Sequence, residues 1–142
     1  MADAHRTLLV VGSPDGVRQA VVEFDAFVAT NRLSADAAWP LHLALDEILS
    51  NIVRHTYGGG DQGREIEVGF RLKDGVLELT FLDDGLAFDP LTAPEPDTTG
   101  PAEDRPLGGL GIFLVRKLMD HVDYERQAGR NRLVCRKKVV RE

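Results

Sequence analysis

The sequence predicts an α+β fold, a two-layer sandwich with a mixed, mostly antiparallel sheet and its helices on one face. The apolar pattern gives the element order β, α, α, β, β, loop, α, β, β. Consecutive strands joined by short turns favour an antiparallel or mixed sheet, and the few helices favour a single helical layer. The length of 142 residues corresponds to one domain over residues 1–142.

The first half of the chain supplies one strand and two helices. Arg6–Val11 has strand length, and Ser13 as N-cap followed by Pro14 predicts a helix start. The helix runs to about Asn31 on an apolar stripe of Val17, Ala20, Val21, Phe24, Phe27 and Val28. A second helix is predicted from about Asp36 to His55. Pro40 is expected to be tolerated near its start, where backbone N–H groups have no intrahelical partners.

The second half supplies two hairpins and a third helix. Alternating residues over 66–72 and 76–82 predict a hairpin that turns at Asp74 and Gly75. Two further strands, around Asp123–Gln127 and Arg132–Val140, flank a turn predicted at Gly129–Asn131. The apolar spacing of the third helix is that of Ile112, Val115, Leu118, Met119 and Val122. Seven basic residues between Arg126 and Arg141 are interpreted as the solvated face of edge strands.

Composition excludes several classes of protein. With 43% hydrophobic and 28% charged residues, the chain is typical of a globular protein. A net charge of −6 argues against binding nucleic acid or an anionic membrane through bulk charge. Cys135 is the single cysteine and forms no intrachain disulfide. Neither a signal peptide nor a membrane span is predicted, so a cytoplasmic location is expected.

Three motifs carry candidate chemistry, and the first lies on the second helix. Glu47, Asn51 and His55 follow at intervals of four, which places them on one helix face. The alternative is that this stripe is the solvated side of an amphipathic helix.

The second motif is FLDDGLAFDP, in which a strand ends at Asp83 and Gly85 follows. A carboxylate at a strand end can accept a hydrogen bond from an exocyclic amine, and glycine leaves room for a flat ring. The alternative is an ordinary acidic turn.

The third motif is LGGLGIFLVRKLMD, a glycine-rich turn that leads into a helix and offers backbone N–H groups to phosphate. Glycines also precede many helices that bind nothing, and the spacing matches neither the Walker loop nor the dinucleotide fingerprint. Before this motif lies a long acidic loop, with seven acidic residues and no Lys or Arg between Asp83 and Asp104. Loops of this size are usually functional or disordered.

Together and in this order, the three motifs resemble the N, G1 and G2 boxes of the GHKL, or Bergerat-fold, ATPases. Within that superfamily the chain resembles, over nearly its whole length, the small bacterial anti-sigma factor serine kinases of partner-switching systems. The resemblance implies ATP and Mg²⁺ as cofactors and the following site residues: Glu47 as general base, Asn51 as Mg²⁺ ligand, Asp83 as adenine reader, Gly85 in the adenine floor, and Gly108, Gly109, Leu110 and Gly111 around the phosphates.

The resemblance also implies an ATP lid over about residues 90–107. The sequence departs from the superfamily pattern at Ala87, where a second G1 glycine is common, and at Leu107, where the G2 box often opens with glycine. Both departures concern lid geometry and turnover more than nucleotide binding. Arg105 is either a phosphate contact or a solvated side chain. His55 either supports Asn51 or the metal or is a packed helix histidine, and the latter interpretation is preferred for His55 as well as for His42 and His121.

Three functional hypotheses follow. The first is a serine protein kinase that phosphorylates a small STAS-type anti-anti-sigma protein and sequesters a sigma factor, without direct contact to nucleic acid or membrane. The second is a nucleotide-responsive binding module without significant kinase activity. The third, a sensor kinase fragment, ranks last because no helical hairpin with a phosphoacceptor histidine is present. A homodimer is expected, with the strand around Leu8–Val11 as a candidate pairing edge.

Overall fold

The computed structural model describes residues 3–56, 64–92 and 109–139. Its strands are β1 (Ala4–Val11), β2 (Glu65–Lys73), β3 (Val76–Asp83), β4 (His121–Gln127) and β5 (Arg130–Lys138), and its helices are α1 (Pro14–Thr30), α2 (Ala35–Asn51) and α3 (Gly109–Leu118). A π-helical turn, Ile52–Thr56, continues α2, and a 3₁₀ turn, Pro90–Thr92, follows β3. The predicted element order is confirmed. Within the described ranges, no helix is long and apolar enough to cross a membrane.

The five strands form one sheet in the order β1-β2-β3-β5-β4, and neighbouring strands are antiparallel throughout. The predicted α+β class is therefore confirmed, in its antiparallel form. β1 and β4 lie at the edges, whereas β5 is interior. The interpretation of the basic C-terminal segment as edge strands is thus wrong for β5, where Arg136 pairs with Glu78 at 2.7 Å and Lys137 Nζ donates to the Leu118 carbonyl at 2.8 Å.

Two tight turns set the register of the hairpins. Asp74 and Gly75 have φ of 53° and 76°, and Ala128 and Gly129 have φ of 54° and 76°, as two-residue hairpin turns require. The second turn lies earlier than predicted. Asn131 is consequently not a turn residue but part of β5, paired with Arg126 on one side and Asp83 on the other.

Helix α1 begins where the predicted cap Ser13 places it, and α2 begins at Ala35, one residue before the predicted start, with Ser34 as its N-cap. Ser13 Oγ accepts from the Gly16 amide at 3.5 Å, and Ser34 Oγ accepts from the Ala37 amide at 3.1 Å. The expectation that Pro40 lies among the first N–H groups of α2, which have no intrahelical partners, is wrong. The Ala38 amide already donates to Ser34 O, so Pro40 lies inside the helix and removes the donor expected for the Asp36 carbonyl.

Two helices end earlier than their apolar spacing predicts. α2 changes to the π-helical turn after Asn51 instead of continuing as α-helix to His55. α3 ends at Leu118, so Met119 follows the helix and Val122 belongs to β4. The segment after α3 is hydrogen-bonded to strand β5 instead. The Asp120 amide donates to Arg136 O at 3.0 Å, and the Lys138 amide donates to the Asp120 carboxylate at 2.7 Å.

The core lies between the helical layer and one face of the sheet. The Phe70 ring on β2 packs against Phe24 and Phe27 of α1, with ring centroids 5.3 and 5.6 Å apart. From α2, Leu41, Leu45 and Ile48 are at most 2% exposed. Asn51 lies beside this apolar stripe and, together with Ile48, lines a cavity with Asp83 at the end of β3, and Glu47 one turn earlier faces Gly111 of α3.

Candidate functional site

Asp83 closes β3 with its carboxylate inside the fold, at 2% exposure. The Gly85 amide donates to Asp83 Oδ1 at 3.0 Å, and Asn131 Nδ2 donates to the same oxygen at 2.9 Å. From the described residues, no hydrogen bond reaches Asp83 Oδ2. Two hydrogen bonds therefore fix Oδ1, and Oδ2 receives none from the part of the chain that the structure describes.

Burial raises the pKa of Asp83 above its ordinary value, because the charged form loses hydration. Hydrogen bonds from Asn131 and Gly85 lower the pKa, the Asp84 carboxylate raises it, and the Arg126 guanidinium lowers it. Burial outweighs the rest. A buried carboxylate at a strand end, whose pKa is shifted in opposite directions by its neighbours, is typical of a binding or catalytic group.

Asn51 ends α2 and is 5% exposed. Its side-chain oxygen accepts from Arg54 Nη2 at 2.8 Å, and Arg54 itself is exposed. The amide oxygen thus already faces a positive charge. This donor chemistry suits Mg²⁺, which commonly binds to one or two protein oxygens together with substrate phosphates. Among the described residues, no group of three or more His, Cys, Asp or Glu could enclose a metal.

Glu47 lies one turn before Asn51 and is half-buried. Burial raises the pKa of Glu47, the neighbouring Asp46 acts in the same direction, and Arg54 lowers it. A raised pKa makes the carboxylate a stronger base.

Gly111 brings the first turn of α3 onto the Glu47 carboxylate. A Cβ at Gly111 would lie 1.9 Å from Glu47 Oε2, so only glycine fits against the carboxylate in this position. Gly109 and Leu110 belong to the same first turn, and Gly108 lies outside the described residues. The N–H groups of a helix start therefore lie beside the candidate base.

A small cavity of about 20 Å³ connects the two halves of the site. Three buried polar residues of the described chain, Asn51, Asp83 and Asn131, all line it. The cavity thus brings together Asn51 of the first motif and Asp83 of the second, while Gly111 of the third motif lies against Glu47, which does not line the cavity. Buried polar groups are costly without a partner, and their concentration here marks a functional site.

Sequence reasoning missed the residues that hold the Asp83 loop. Asn131, Tyr124 and Arg126 come from the β4–β5 hairpin, and Arg126 Nη1 donates to the Gly85 carbonyl at 2.9 Å. The position of the β4–β5 turn could have indicated Asn131. With this turn in its observed place, Asn131 belongs to β5 and lies directly opposite Asp83.

The remaining predicted residues have varied outcomes. Ala87 is exposed, and Gly85 is buried. His42 packs against the Phe24 ring and lies 3.1 Å from Asp25 Oδ1. His121 is an exposed strand residue, so its interpretation as a packed helix histidine is wrong. The side chain of His55, residues Arg105 and Leu107, and the predicted lid beyond Thr92 lie outside the described residues.

Comparisons with known proteins identify the family of the chain. Residues 10–137 match the family described as the histidine kinase-like ATPase domain. The chain is 33% identical over 128 residues to the serine-protein kinase RsbW of Listeria monocytogenes serotype 4a, covering 86% of this chain and 81% of that protein. It is 34% identical over 103 residues to the serine/threonine-protein kinase BtrW of Bordetella bronchiseptica, covering 72% of each.

A solved structure shows the same fold. It contains the RsbU and RsbW domains of a Mycobacterium tuberculosis protein and aligns with a TM-score of 0.68 at 15% identity. The alignment covers 100% of this chain and 34% of that one, so the present chain corresponds to about a third of the larger protein. The family model and the sequence relatives together show that the chain belongs to the histidine kinase-like ATPase domain family and, within it, to the family of the RsbW serine-protein kinases.

Proposed function

We propose that the protein is an ATP-dependent serine kinase and anti-sigma factor that phosphorylates a small STAS-type anti-anti-sigma protein and sequesters a sigma factor. The observation that carries the proposal is that Asn51 and Asp83 line one cavity while Glu47, one turn before Asn51, lies against Gly111, in a chain whose relatives are named serine-protein kinases. Phosphoryl transfer needs a base recognition group, a means of neutralising phosphate charge and a group that orients the nucleophile. Each is supplied by a different element of this fold.

Adenine recognition is assigned to Asp83. Its Oδ2 faces no donor from the described residues, so it can accept a hydrogen bond from the 6-amino group of adenine. Gly85 is buried beside it and, having no side chain, leaves room for a flat ring.

The phosphate end is assigned to Asn51 and the start of α3. Mg²⁺ would be held by the Asn51 side-chain oxygen together with the nucleotide phosphates, and it would neutralise phosphate charge. Backbone N–H groups at Gly108, Gly109, Leu110 and Gly111 would bind phosphate oxygens at the positive end of the helix. Arg54, which now donates to Asn51 Oδ1, must give up that oxygen when a cation binds.

Glu47 is the proposed general base. It accepts the proton of the substrate serine hydroxyl while the serine oxygen bonds to the γ-phosphorus and the bond from that phosphorus to the bridging oxygen of ADP breaks. The raised pKa of Glu47, caused mainly by burial, favours this proton transfer. ADP and the phosphoserine partner are the products.

One observation favours the alternative, a nucleotide-responsive binding module. The backbone at Gly111 lies against the Glu47 carboxylate, so the space in front of the base is occupied by helix α3. If α3 stays there when nucleotide binds, Glu47 cannot reach a serine hydroxyl and nucleotide would only change partner affinity.

Transfer of labelled γ-phosphate separates the two functions. The protein partner is recovered by pull-down with and without ATP, and transfer is measured beside ATP binding for wild type, Glu47→Ala and Asn51→Ala. We expect Glu47→Ala to reduce transfer by about 10²- to 10⁴-fold with ATP affinity within a few fold. Asn51→Ala should lose both. Wild-type protein that binds ATP and the partner but transfers no phosphate would support the binding module instead.

A homodimer through β1 is a further part of the proposal. β1 is an edge strand, and its outward side chains Leu9 and Val11 are 56% and 42% exposed. Exposed apolar side chains on an unpaired edge favour association with a second chain. Light scattering at micromolar concentration is expected to give twice the chain mass, and a monomer at all concentrations would contradict it.

A further inference from the structure

Asn131 is the most extensively hydrogen-bonded side chain of the candidate site. It lies on β5, is 4% exposed, and lines the same cavity as Asp83. None of the three sequence motifs contains it. A buried amide is costly unless its polar atoms are paired, so its partners indicate what it does.

Both ends of the Asn131 amide are engaged. Nδ2 donates to Asp83 Oδ1 and to the Leu86 carbonyl, each at 2.9 Å. Oδ1 accepts from Tyr124 Oη at 2.5 Å, from Arg126 Nη1 at 3.2 Å and from the Phe88 amide at 3.4 Å. The two donors of the amide both face acceptors, and its oxygen faces three donors.

This arrangement permits one orientation of the amide. Exchanging the nitrogen and the oxygen would turn the oxygen toward the Asp83 carboxylate and the NH₂ group toward the donors on Tyr124 and Arg126, replacing attraction by repulsion. Asn131 is therefore locked, and its Nδ2 locks Asp83 Oδ1 in turn. Because Oδ1 also accepts from the Gly85 amide, the rotation of the carboxylate is fixed, and Oδ2 is the oxygen without a hydrogen bond from the described residues.

We propose that Asn131 is a positioning residue that sets the preference of the site for a 6-aminopurine, by fixing the Asp83 carboxylate with Oδ2 directed to the amino group. The proposal rests on the proposed function, in which Asp83 contacts adenine. Asn131 acts through Asp83 and needs no contact with the nucleotide. It also ties Leu86 and Phe88 to the sheet, which keeps the loop after Asp83 in place.

The direct test compares ATP with its analogue that lacks the 6-amino group, purine riboside triphosphate. Calorimetry with Mg²⁺ present gives the affinity ratio of the two nucleotides for wild type and for Asn131→Ala. We expect wild type to prefer ATP by about tenfold or more and Asn131→Ala to lose most of that ratio, mainly through weaker ATP binding. Equal weakening of both nucleotides would mean a merely structural role and would overturn the proposal, as would an unchanged ratio.

Asn31→Ala is the matched control. Asn31 likewise donates Nδ2 to a backbone carbonyl, that of Phe27 at 2.8 Å, but it does so at the end of α1. The ratio of the affinities for ATP and for purine riboside triphosphate should be the same for Asn31→Ala as for wild type.

A second variant keeps the proposal testable if Asn131→Ala fails to fold. Asn131→Asp preserves shape but places a second carboxylate against Asp83, in surroundings that include Asp84, Arg126 and the Tyr124 hydroxyl. Two adjacent carboxyls share a proton as the pH falls, and the protonated member then donates the missing hydrogen bond. ATP affinity of Asn131→Asp should therefore rise severalfold from pH 8 to pH 5.5 relative to wild type. A profile parallel to that of wild type would overturn the proposal.

Asp83→Asn distinguishes this inference from the proposed function. If wild type binds no ATP, or if Asp83→Asn binds it as well as wild type does, the proposed adenine site is wrong. If Asp83→Asn loses affinity while Asn131→Ala keeps the wild-type ratio, only the role of Asn131 is wrong.

Discussion

Two buried asparagines on the wall of one cavity are held in different ways. Asn131 donates two hydrogen bonds and accepts three, so no position on its amide remains free. Among the described residues, Asn51 accepts one hydrogen bond, from the exposed side chain of Arg54. A saturated amide fixes its neighbours, whereas an amide with one exposed cationic partner can exchange that partner for another cation.

The difference divides the site into two functional ends. At the Asp83 end, neighbouring strands and a buried network fix the geometry before a ligand arrives. At the Asn51 end, the important groups belong to two helices, and their contacts are an exposed arginine and a helix start against Glu47. In the proposed function, the Asp83 end would bind adenine and the Asn51 end would bind the phosphates, so a fixed end and an adaptable end would suit a protein whose partners depend on the bound nucleotide.

The largest expected effect tests the adaptable end. In Gly111→Ala, the new Cβ must displace Glu47 Oε2, which would lie 1.9 Å away. The carboxylate is the far end of a flexible side chain, so the fold should survive while the base is misplaced, and a displacement of about 1 Å can reduce transfer roughly 10²-fold. Labelled phosphate transfer is the measurement.

Gly69→Ala is the control for Gly111→Ala, because a Cβ at Gly69 would meet Thr80 Cβ at an ordinary 3.7 Å. Full transfer activity in Gly111→Ala would mean that α3 moves away from Glu47 during the reaction, and the division between a fixed and an adaptable end would become sharper.

The next effect tests the fixed end. In Asp83→Asn, the position of Oδ2 is taken either by an NH₂ group or by an uncharged amide oxygen. Adenine therefore loses its hydrogen bond to a charged group. Such a loss costs about 1.5–3 kcal/mol, or roughly 10- to 150-fold in ATP affinity, measured by calorimetry. Unchanged affinity would remove Asp83 from the adenine site.

The same substitution should stabilise the fold. The pKa of Asp83 is raised in the folded state above its ordinary 3.8, mainly by burial. The folded protein therefore binds more protons than the unfolded chain between the two pKa values, and its stability falls as the pH rises through that window. Asp83→Asn should have a higher free energy of unfolding in urea than wild type at pH 7, and the difference should shrink as the pH falls from the raised pKa of the folded state toward 3.8. A constant difference at all pH values would show that the Asp83 charge carries no stability cost.

The smallest effect is expected at Arg54. Hydrogen bonds from exposed cationic side chains contribute little, so Arg54→Ala should change ATP affinity by no more than about threefold. A loss as large as that of Asn131→Ala would mean that Asn51 is held as rigidly as Asn131, and the comparison would fail. Arg18→Ala, which removes an exposed arginine on α1 paired with Asp15, serves as the control.

The sequence predicted the adaptable end better than the fixed one. Glu47 and Asn51 are one helical turn apart, and helix geometry alone places them on one face. Asp83 was predicted because it ends an alternating strand. Asn131 was not, because its role depends on the register between β3 and β5, which are 48 residues apart at the Asn131–Asp83 contact. Because the β4–β5 turn lies earlier in the chain than predicted, Asn131 belongs to β5 and to the site instead of to a loop.

The limits of the prediction have physical causes. The helical spacing of Val122 predicted that it belongs to the third helix, yet it lies in a strand that pairs with β5. Backbone hydrogen bonds to a neighbouring strand outweigh a short-range pattern of apolar residues. His121 changed from helix to exposed strand for the same reason. Lys and Arg in β5 suggested an edge, but β5 pairs with both β3 and β4, and its charges are accommodated because Glu78 pairs with Arg136 and the Leu118 carbonyl accepts from Lys137.

Periodicity, caps and turn residues by themselves determined the number, order and type of the elements and the α+β class, because these depend on interactions between residues close in the chain. The tertiary structure alone decided which polar residues share the cavity, how Gly111 meets Glu47, and that Asn131 holds Asp83. Those contacts join residues far apart in sequence, and strand register and helix packing, which no local pattern records, bring them within hydrogen-bond distance.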